Sequence, residues 1–427
     1  MTPLSRALSF AIENPYSDFY RKKYGAKYHA YMRGNFSSIP PLVRDDIDAV
    51  PLYERIFVPK EMVHLVRSTS GSSGRRVTGF PMVEEPDLVQ FRISIGFTKE
   101  EAESARYFSS YFKMNEVFSL LLFSLVGVVH EVELSDVNGG RVTMVDIKYP
   151  ELTARLAKEA QADAIFIFPS PLLLLAPELT RAGVAGQIKL ILLVGERMIE
   201  SQRLAIVEAF PDARIENIYA STESQGIAAQ TCPLFHTKKP NLIHPNNTYL
   251  FELLPSSGDE SLPLSVGQEG EVVLTTLLPV VFPLIRFRTG DYAVVRQNGL
   301  CACGSPAPLV EILGRVELDR IKIPFGGISV AALEEAVRSL PLPVRDFSAV
   351  WIENETIPRL AISVYTDEII PSSFADIVAK ALKINSEESY FAIWGKGAVG
   401  ELTLAREEVS SLEFLRSGKR KRLHIQR

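Results

Sequence analysis

Residues 164–194 read AIFIFPSPLLLLAPELTRAGVAGQIKLILLV, and the two ends of this stretch decide the fold class. The runs at 164–168 (AIFIF) and 189–194 (KLILLV) are short, almost continuously apolar and rich in branched side chains. Strands covered on both faces have that texture. Amphipathic helical patterns lie nearby at 150–162 and 199–210. Strand and helix in alternation predict βαβ units and a mostly parallel sheet. From residue 249 the texture changes: YLFELLP (249–255), GEVVLTTLL (270–278) and LIRFRTGDYAVV (284–295) are strand-like and separated by Gly, Ser and Asp turns. These predict an antiparallel sheet or distorted barrel. After Gly314 the pattern restarts with a helix over 329–340, a strand pair at 347–354 and 359–366, a helix over 372–383 and a basic tail. The expectation is an α/β protein with a large domain at 1–313, a small mobile α+β domain at 314–427, and a short hinge near 314–319.

Composition narrows the function classes. The 427 residues are 46% hydrophobic, with 46 Lys+Arg against 51 Asp+Glu. That is too apolar and too balanced for disorder, and too acidic for a dedicated nucleic-acid binder. Three cysteines cannot build a disulfide framework, so a reducing compartment is expected. The most membrane-like run, VFSLLLFSLVGVV at 117–129, falls short of the roughly 18 residues a span needs and reads as a buried helix. The run at 165–179 is interrupted by three prolines. The N-terminal stretch lacks a sustained apolar core followed by a cleavage site. A cytoplasmic protein without nucleic-acid or membrane partners is expected.

Five local motifs suggest chemistry. Ser68-Thr69-Ser70-Gly71-Ser72-Ser73-Gly74 follows the strand-like VHLV; hydroxyls and glycine-permitted N–H groups can converge there on phosphate oxygens. It is not a Walker A loop, because the lysine spacing is absent. Tyr219-Ala220-Ser221-Thr222-Glu223 offers an aromatic face for a base, a hydroxyl for a phosphate and a carboxylate for magnesium. Asp291, in the R-T-G-D turn at 288–291, can accept two ribose hydroxyls, and Arg315 supplies a guanidinium. Lys419 stands in a basic, Gly-adjacent segment near the end. Each has an ordinary structural reading by itself: a surface loop, a core tyrosine, a turn-forming aspartate, a solvated tail.

In this order the motifs resemble the adenylate-forming superfamily of acyl- and aryl-CoA synthetases, specifically the phenylacetate-CoA ligase branch. The likeness runs nearly end to end, through NPYSDFYRKKYG (14–25), FSSIPPLVRDDI (36–47), STSGSSGRR (68–76), LLVGER (192–197), YASTESQGIA (219–228), TCPLFH (231–236), PLIRFRTGD (283–291), CACG (301–304), LGR (313–315) and SGKRKR (417–422). The resemblance implies that 68–74 embraces the β- and γ-phosphates, and that Gly195, Glu196 and Arg197 lie beside adenine. It further implies that Tyr219 flanks the base, Thr222 meets the α-phosphate, Glu223 holds Mg2+, and Asp291 with Arg315 binds the ribose. Lys419 would bridge the carboxylate and the α-phosphate, a role that also follows from charge: the two anions repel, and a cation spanning them stabilises the pentavalent centre.

The implied reaction joins a carboxylic acid to ATP and then to coenzyme A, the small domain rotating between the two half-reactions. This chain reads GRVELDRIKIPFGG at 314–327, so Glu317 or Asp319 stands for the usual hinge aspartate and Gly326–Gly327 comes about two residues late. The implied acyl pocket draws on 111–123, 166–175 and Gly195, rich in Phe, Leu and Pro, which suits an aromatic acid. Alternatives are an enzyme that loads a carrier-protein thiol or an amine, and a non-catalytic adenylate binder. The oligomeric state stays open, a homodimer included.

All three cysteines fall in two patches, Cys232 with His236 and Cys301 with Cys303. Three thiolates and an imidazole form a closed set suited to a structural Zn2+, and some family members carry zinc at matching positions. The alternative is three small hydrophobes and a surface histidine. His29, His64, His130, His244 and His424 show no partner in sequence and are read as structural.

Overall fold

The computed structural model describes residues 2–27, 36–68, 78–104, 119–123, 141–145, 149–255, 257–315, 319–323, 326–385, 387–414 and 420–426. It is a mixed α/β structure. The described residues fall into two compact units. One is drawn from Met1–Phe118, Glu131–Val142 and Ile215–Ile312, the other from Ser119–His130, Thr143–Arg214 and Leu313–Arg427.

The first unit is organised by antiparallel strands in the order Tyr249–Leu254, Glu269–Thr276, Phe287–Gln297, Leu309–Arg315, Leu242–Pro245, Gly226–Thr231 and Arg214–Ser221. The turn-separated texture after residue 249 produces the expected antiparallel arrangement. Two registers matter below: His244 lies opposite Gln230, and Ile243 opposite Val310. The helices Pro3–Ile12 and Phe19–Tyr24 pack Leu8, Ile12, Phe19 and Tyr20 against Phe57, Phe282 and Leu284. Tyr20 is fully buried, and its hydroxyl donates to the Pro283 carbonyl at 2.6 Å and accepts from the Ile285 amide at 3.1 Å. Both directions of the phenol are thereby used, as burial demands.

The arginine that follows is more consequential. Arg286 is fully buried and sits at φ +49, a left-handed conformation a side chain adopts at a cost. Its guanidinium donates to the carbonyls of Ser37 (2.7 Å), Ile39 (2.6 Å) and Asp259 (2.7 Å), and lies 3.3 Å from the buried Glu252. One cation thus ties the 37–39 segment, the Asp259 turn and Glu252 to the chain entering the strand that carries Asp291.

In the second unit, Ser119–Phe123, Ala164–Ile167 and Leu190–Val194 run parallel, Leu120 opposite Ala164 and Ala164 opposite Leu190. The Ala164 and Leu190 strands are buried throughout. The helix expected over 117–129 is not formed: its described part is the strand Ser119–Phe123, and the remaining residues lie outside the described set. A short apolar run has no period that separates a buried strand from a buried helix, and parallel pairing decides it here. The prolines at 169 and 171 do not break the next element; they open the helix Pro169–Arg181, where a missing N–H costs nothing, and Pro177 lies inside it. Helices Pro150–Glu159 and Glu200–Ala209 complete the alternation.

The same unit holds a second sheet in the order Thr403–Glu407, Arg359–Tyr365, Asp346–Ile352 and Leu423–Gln426. Asp346–Ile352 pairs antiparallel with Arg359–Tyr365 and parallel with the last strand, Leu423–Gln426. Helices Val330–Arg338, Phe374–Ala381 and Tyr390–Gly395 contribute Leu333, Val378 and Tyr390 to a core around Trp351. Nothing in the described residues forms a helix long and apolar enough to cross a membrane.

Candidate functional site

Within the first unit, neighbouring strands bring two of the expected residues, Tyr219 and Asp291, together. Tyr219, near the end of Arg214–Ser221, donates its hydroxyl proton to Asp291 Oδ2 at 2.8 Å. Asp291 follows Gly290, whose φ of +78 turns the chain and would strain any side chain there. The turn is held by the Asp291 amide donating to Thr289 Oγ1 (3.1 Å), which donates to the Val272 carbonyl (2.9 Å). Glu271 accepts from the Gly290 amide at 3.1 Å and pairs with Arg288 at 2.6 Å; burial pushes its carboxyl above the usual range.

After the Tyr219 strand, the Ser221 amide donates to Ser224 Oγ and the Ser224 amide to Ser221 Oγ, each at 3.1 Å. These reciprocal bonds fold 221–224 into a tight turn carrying Thr222 and Glu223. The Glu223 carboxylate accepts from Arg44, which also holds Asp48 at 3.0 Å. Ser68 ends a strand paired opposite Gly79; Thr69, Ser70, Gly71, Ser72, Ser73 and Gly74 lie outside the described residues, as do Lys419 and Glu317.

The second unit holds the others. Gly195 leaves the Leu190–Val194 strand at φ +76. Glu196 accepts a hydrogen bond from Ser170 Oγ at 2.6 Å and, on its other oxygen, one from the Arg420 amide at 2.9 Å. The residue has a partly exposed edge, but its carboxyl group is enclosed and burial pushes it above the usual range. Arg197 pairs with Glu334 at 2.5 Å. Gly314, at φ +116, could carry no side chain: a Cβ would lie 2.5 Å from Asp319 Oδ2. That same oxygen accepts the Arg315 amide at 2.7 Å.

The cysteines converge, with a different histidine. Cys232, His244, Cys301 and Cys303 offer donor atoms that all lie within 4.8 Å of one another. His236, expected as the fourth member, instead turns its Nδ1 toward Glu216 at 3.6 Å. The physical reason is register. The chain reverses after Cys232, with the Phe235 amide donating to the Cys232 carbonyl at 2.8 Å, which carries His236 away. It returns as Leu242–Pro245, the strand beside Gly226–Thr231, and His244 falls on the face that Cys232 shares.

Tetrahedral coordination at ordinary Zn–S and Zn–N lengths spaces two sulfurs by about 3.8 Å and a sulfur and nitrogen by about 3.6 Å. The Cys232 and Cys301 sulfurs are 3.9 Å apart, and Cys303 Sγ is 3.3 Å from His244 Nε2. His244 Nδ1 lies 3.0 Å from the Pro308 carbonyl; a proton on Nδ1 bonded there leaves the Nε2 lone pair facing the sulfurs. Burial raises the Cys232 thiol to about 12, while the Cys303 amide lowers Cys301. The group therefore fits a metal ion in donor type, spacing and tautomer.

No family model matches the chain, and no curated protein matches it in sequence. Solved structures do. The chain is similar to 2-hydroxyisobutyryl-CoA ligase in its postadenylation state with 2-HIB-AMP, at 16% identity over 100% of this chain and 88% of that one, with a TM-score of 0.74. Against the same ligase in its thioesterification state with 2-HIB-AMP and CoA, the identity is 17% over 99% and 88%, with a TM-score of 0.56. An anthranilate CoA ligase in complex with anthranoyl-AMP matches at 14% over 86% of this chain and 67% of that chain, with a TM-score of 0.57. At such identities the likeness shows the fold alone: the chain shares the mixed α/β architecture of these solved ligases.

Proposed function

We propose that this protein is an ATP-dependent acid–thiol ligase that activates an aromatic carboxylic acid as its adenylate and passes the acyl group to coenzyme A. The observation that carries the reading is the Tyr219–Asp291 hydrogen bond, with Thr222 and Glu223 presented on the turn that follows Tyr219. An aromatic ring, a ribose-binding carboxylate, a hydroxyl and a metal-binding carboxylate are the groups an adenylate requires. The similar solved ligases hold acyl-adenylates.

In the first half-reaction a carboxylate oxygen attacks the α-phosphorus and the bond to pyrophosphate breaks. Asp291 orients the ribose, Tyr219 covers the base, and Lys419 offsets the repulsion between the approaching anions. Bound magnesium would supply charge neutralisation on the phosphates. Glu223 would hold it; its present cation is Arg44, which a nucleotide phosphate would draw off as the metal arrives. In the second half-reaction the thiolate of coenzyme A attacks the acyl carbon and AMP leaves. Residues 314–427 would act as the moving lid, turning near Gly314. Cys232, His244, Cys301 and Cys303 would hold a structural zinc that fixes the turn after residue 231 to the one at 301–304; with four protein ligands it has no open position for chemistry.

The test is purified protein with ATP, Mg2+, coenzyme A and a panel of aryl and alkyl acids, read by AMP release and product mass. Acid-dependent acyl-CoA, strongest with aryl acids, is the expected result. Pyrophosphate exchange without acyl-CoA points to a carrier-protein thiol or amine as acceptor, and absence of both across the panel overturns the proposal.

A further inference from the structure

A closed polar cluster lies within the second unit, and the adenylation chemistry alone does not call for it. Asp346 is fully buried at the start of its strand. Its Oδ1 accepts from Arg422 Nε (2.8 Å), and its Oδ2 from Arg422 Nη2 (3.1 Å) and Gln202 Nε2 (3.3 Å), with Arg420 Nε also 3.3 Å away. Arg422 Nη2 and Gln202 Nε2 each donate to Ser170 Oγ at 3.0 Å. A serine hydroxyl has one proton and two lone pairs. Both lone pairs are taken by these donors, so the proton goes to Glu196. The carboxylates of Asp346 and Glu196 face the guanidiniums of Arg420 and Arg422, balancing charge at a buried position.

The membership of this cluster is what suggests a role. Ser170, Glu196 and Gln202 come from the parallel-strand segment, Asp346 from the sheet of the proposed lid, and Arg420 and Arg422 follow directly on Lys419. Glu196 grips the backbone amide of the very next residue after that lysine. Three further contacts join the same two stretches: Glu334 with Arg197 (2.5 Å), Glu334 with the Glu200 amide (2.6 Å), and Arg345 with Glu208 (2.8 Å).

We propose that Ser170, Asp346 and Arg422 are positioning residues that clamp the segment after Lys419 for adenylation, and that the clamp must open before acyl transfer. The inference rests on the ligase reading above. It goes beyond that reading by assigning Glu196 to the lid segment as well as to the nucleotide, and by making one buried hub specific to the first half-reaction. An electrostatic hub held by one hydroxyl suits such a switch. While closed, Ser170, Glu196, Asp346 and Arg422 are hydrogen-bonded within the cluster, whereas Arg420 Nε and Nη2 have no hydrogen-bond acceptor among the described residues; on opening the four charges regain water, so neither state is trapped.

The test uses the whole chain with Ser170→Ala, which removes the shared hydroxyl with little change in shape, and Asp346→Asn, which leaves two arginines against one carboxylate. Acid-dependent ATP–pyrophosphate exchange and transfer from supplied acyl-adenylate to coenzyme A are measured separately, beside hydrogen exchange of the peptide covering 420–426. The ratio of adenylation to transfer should fall about tenfold in Ser170→Ala and further in Asp346→Asn, with faster exchange of that peptide. Equal loss in both half-reactions, or an unchanged ratio, overturns the clamp. Should wild type adenylate no acid, the ligase reading fails by itself; unaltered exchange of 420–426 in the variants then also rejects the clamp. If Asp346→Asn does not fold, Ser170→Ala decides alone.

Discussion

Replacing Arg286 with methionine should be among the most damaging single changes in the first unit. The side chain is fully buried and gives hydrogen bonds to the carbonyls of Ser37, Ile39 and Asp259 while facing Glu252. Methionine fills much of the volume but donates nothing. Each orphaned carbonyl costs about 1–3 kcal/mol unless water reaches it. Stranding Glu252 places the change in the class of broken buried ion pairs, about 3–5 kcal/mol. These terms overlap, and relaxation recovers part, so roughly 4–6 kcal/mol is the working figure. For a cooperative unit of about 230 residues, each kcal/mol moves Tm by about 2–4 °C, so a fall of roughly 10–20 °C is expected. Differential scanning calorimetry of the variant, beside Glu252→Leu and the double variant, supplies the check. The double variant should be more stable than the sum of the single changes predicts, because it leaves no unpaired buried charge. A fall below about 3 °C for Arg286→Met would refute the view that this guanidinium organises the unit.

Three further outcomes are expected. His244→Ala should lower bound zinc to well under one per chain by elemental analysis, whereas His236→Ala should leave it near one; the reverse pattern would reinstate His236 as the ligand. Tyr219→Phe keeps the ring but frees Asp291 of its hydrogen bond, so KM for ATP should rise about three- to tenfold with little change in kcat; an unchanged KM separates this pair from nucleotide binding. Burial raises the Tyr390 phenol to about 12. Because the folded state then holds this proton more tightly than the unfolded chain, its contribution is complete below about pH 10 and is lost as the pH climbs toward 12. At about 1.4 kcal/mol per unit it amounts to roughly 3 kcal/mol at most. The urea midpoint of Tyr390→Phe should therefore fall less steeply than wild type across that window, and parallel curves would rule the effect out.

Much of the architecture was legible in residue order, because periodicity and turn chemistry act locally. The strands at 164–168 and 189–194 announced themselves by length and branched side chains, and the antiparallel strands by their turns. The run at 117–129 did not, since an apolar segment without period takes its identity from the neighbour it pairs with. The candidate site divides on the same line. Tyr219 and Asp291 could be named from local motifs, and they meet. His244 could not, because its proximity to the cysteines is created by cross-strand register, which no spacing along the chain encodes. Arg44, Arg286, Asp346 and Arg422 were silent for a related reason: a buried arginine and an exposed one look alike until the carbonyls and carboxylates around them are placed.

The cysteine–histidine group has a consequence for how the chain reaches its fold. Side chains alternate along a strand, so a slip of one residue between Gly226–Thr231 and Leu242–Pro245 would send His244 to the opposite face and pull it from the sulfurs. A metal ion that binds only the complete set would therefore reward one alignment and leave its near neighbours unrewarded. The group would then act as a proofreader of strand pairing, selecting the correct alignment during assembly before it stabilises the finished protein.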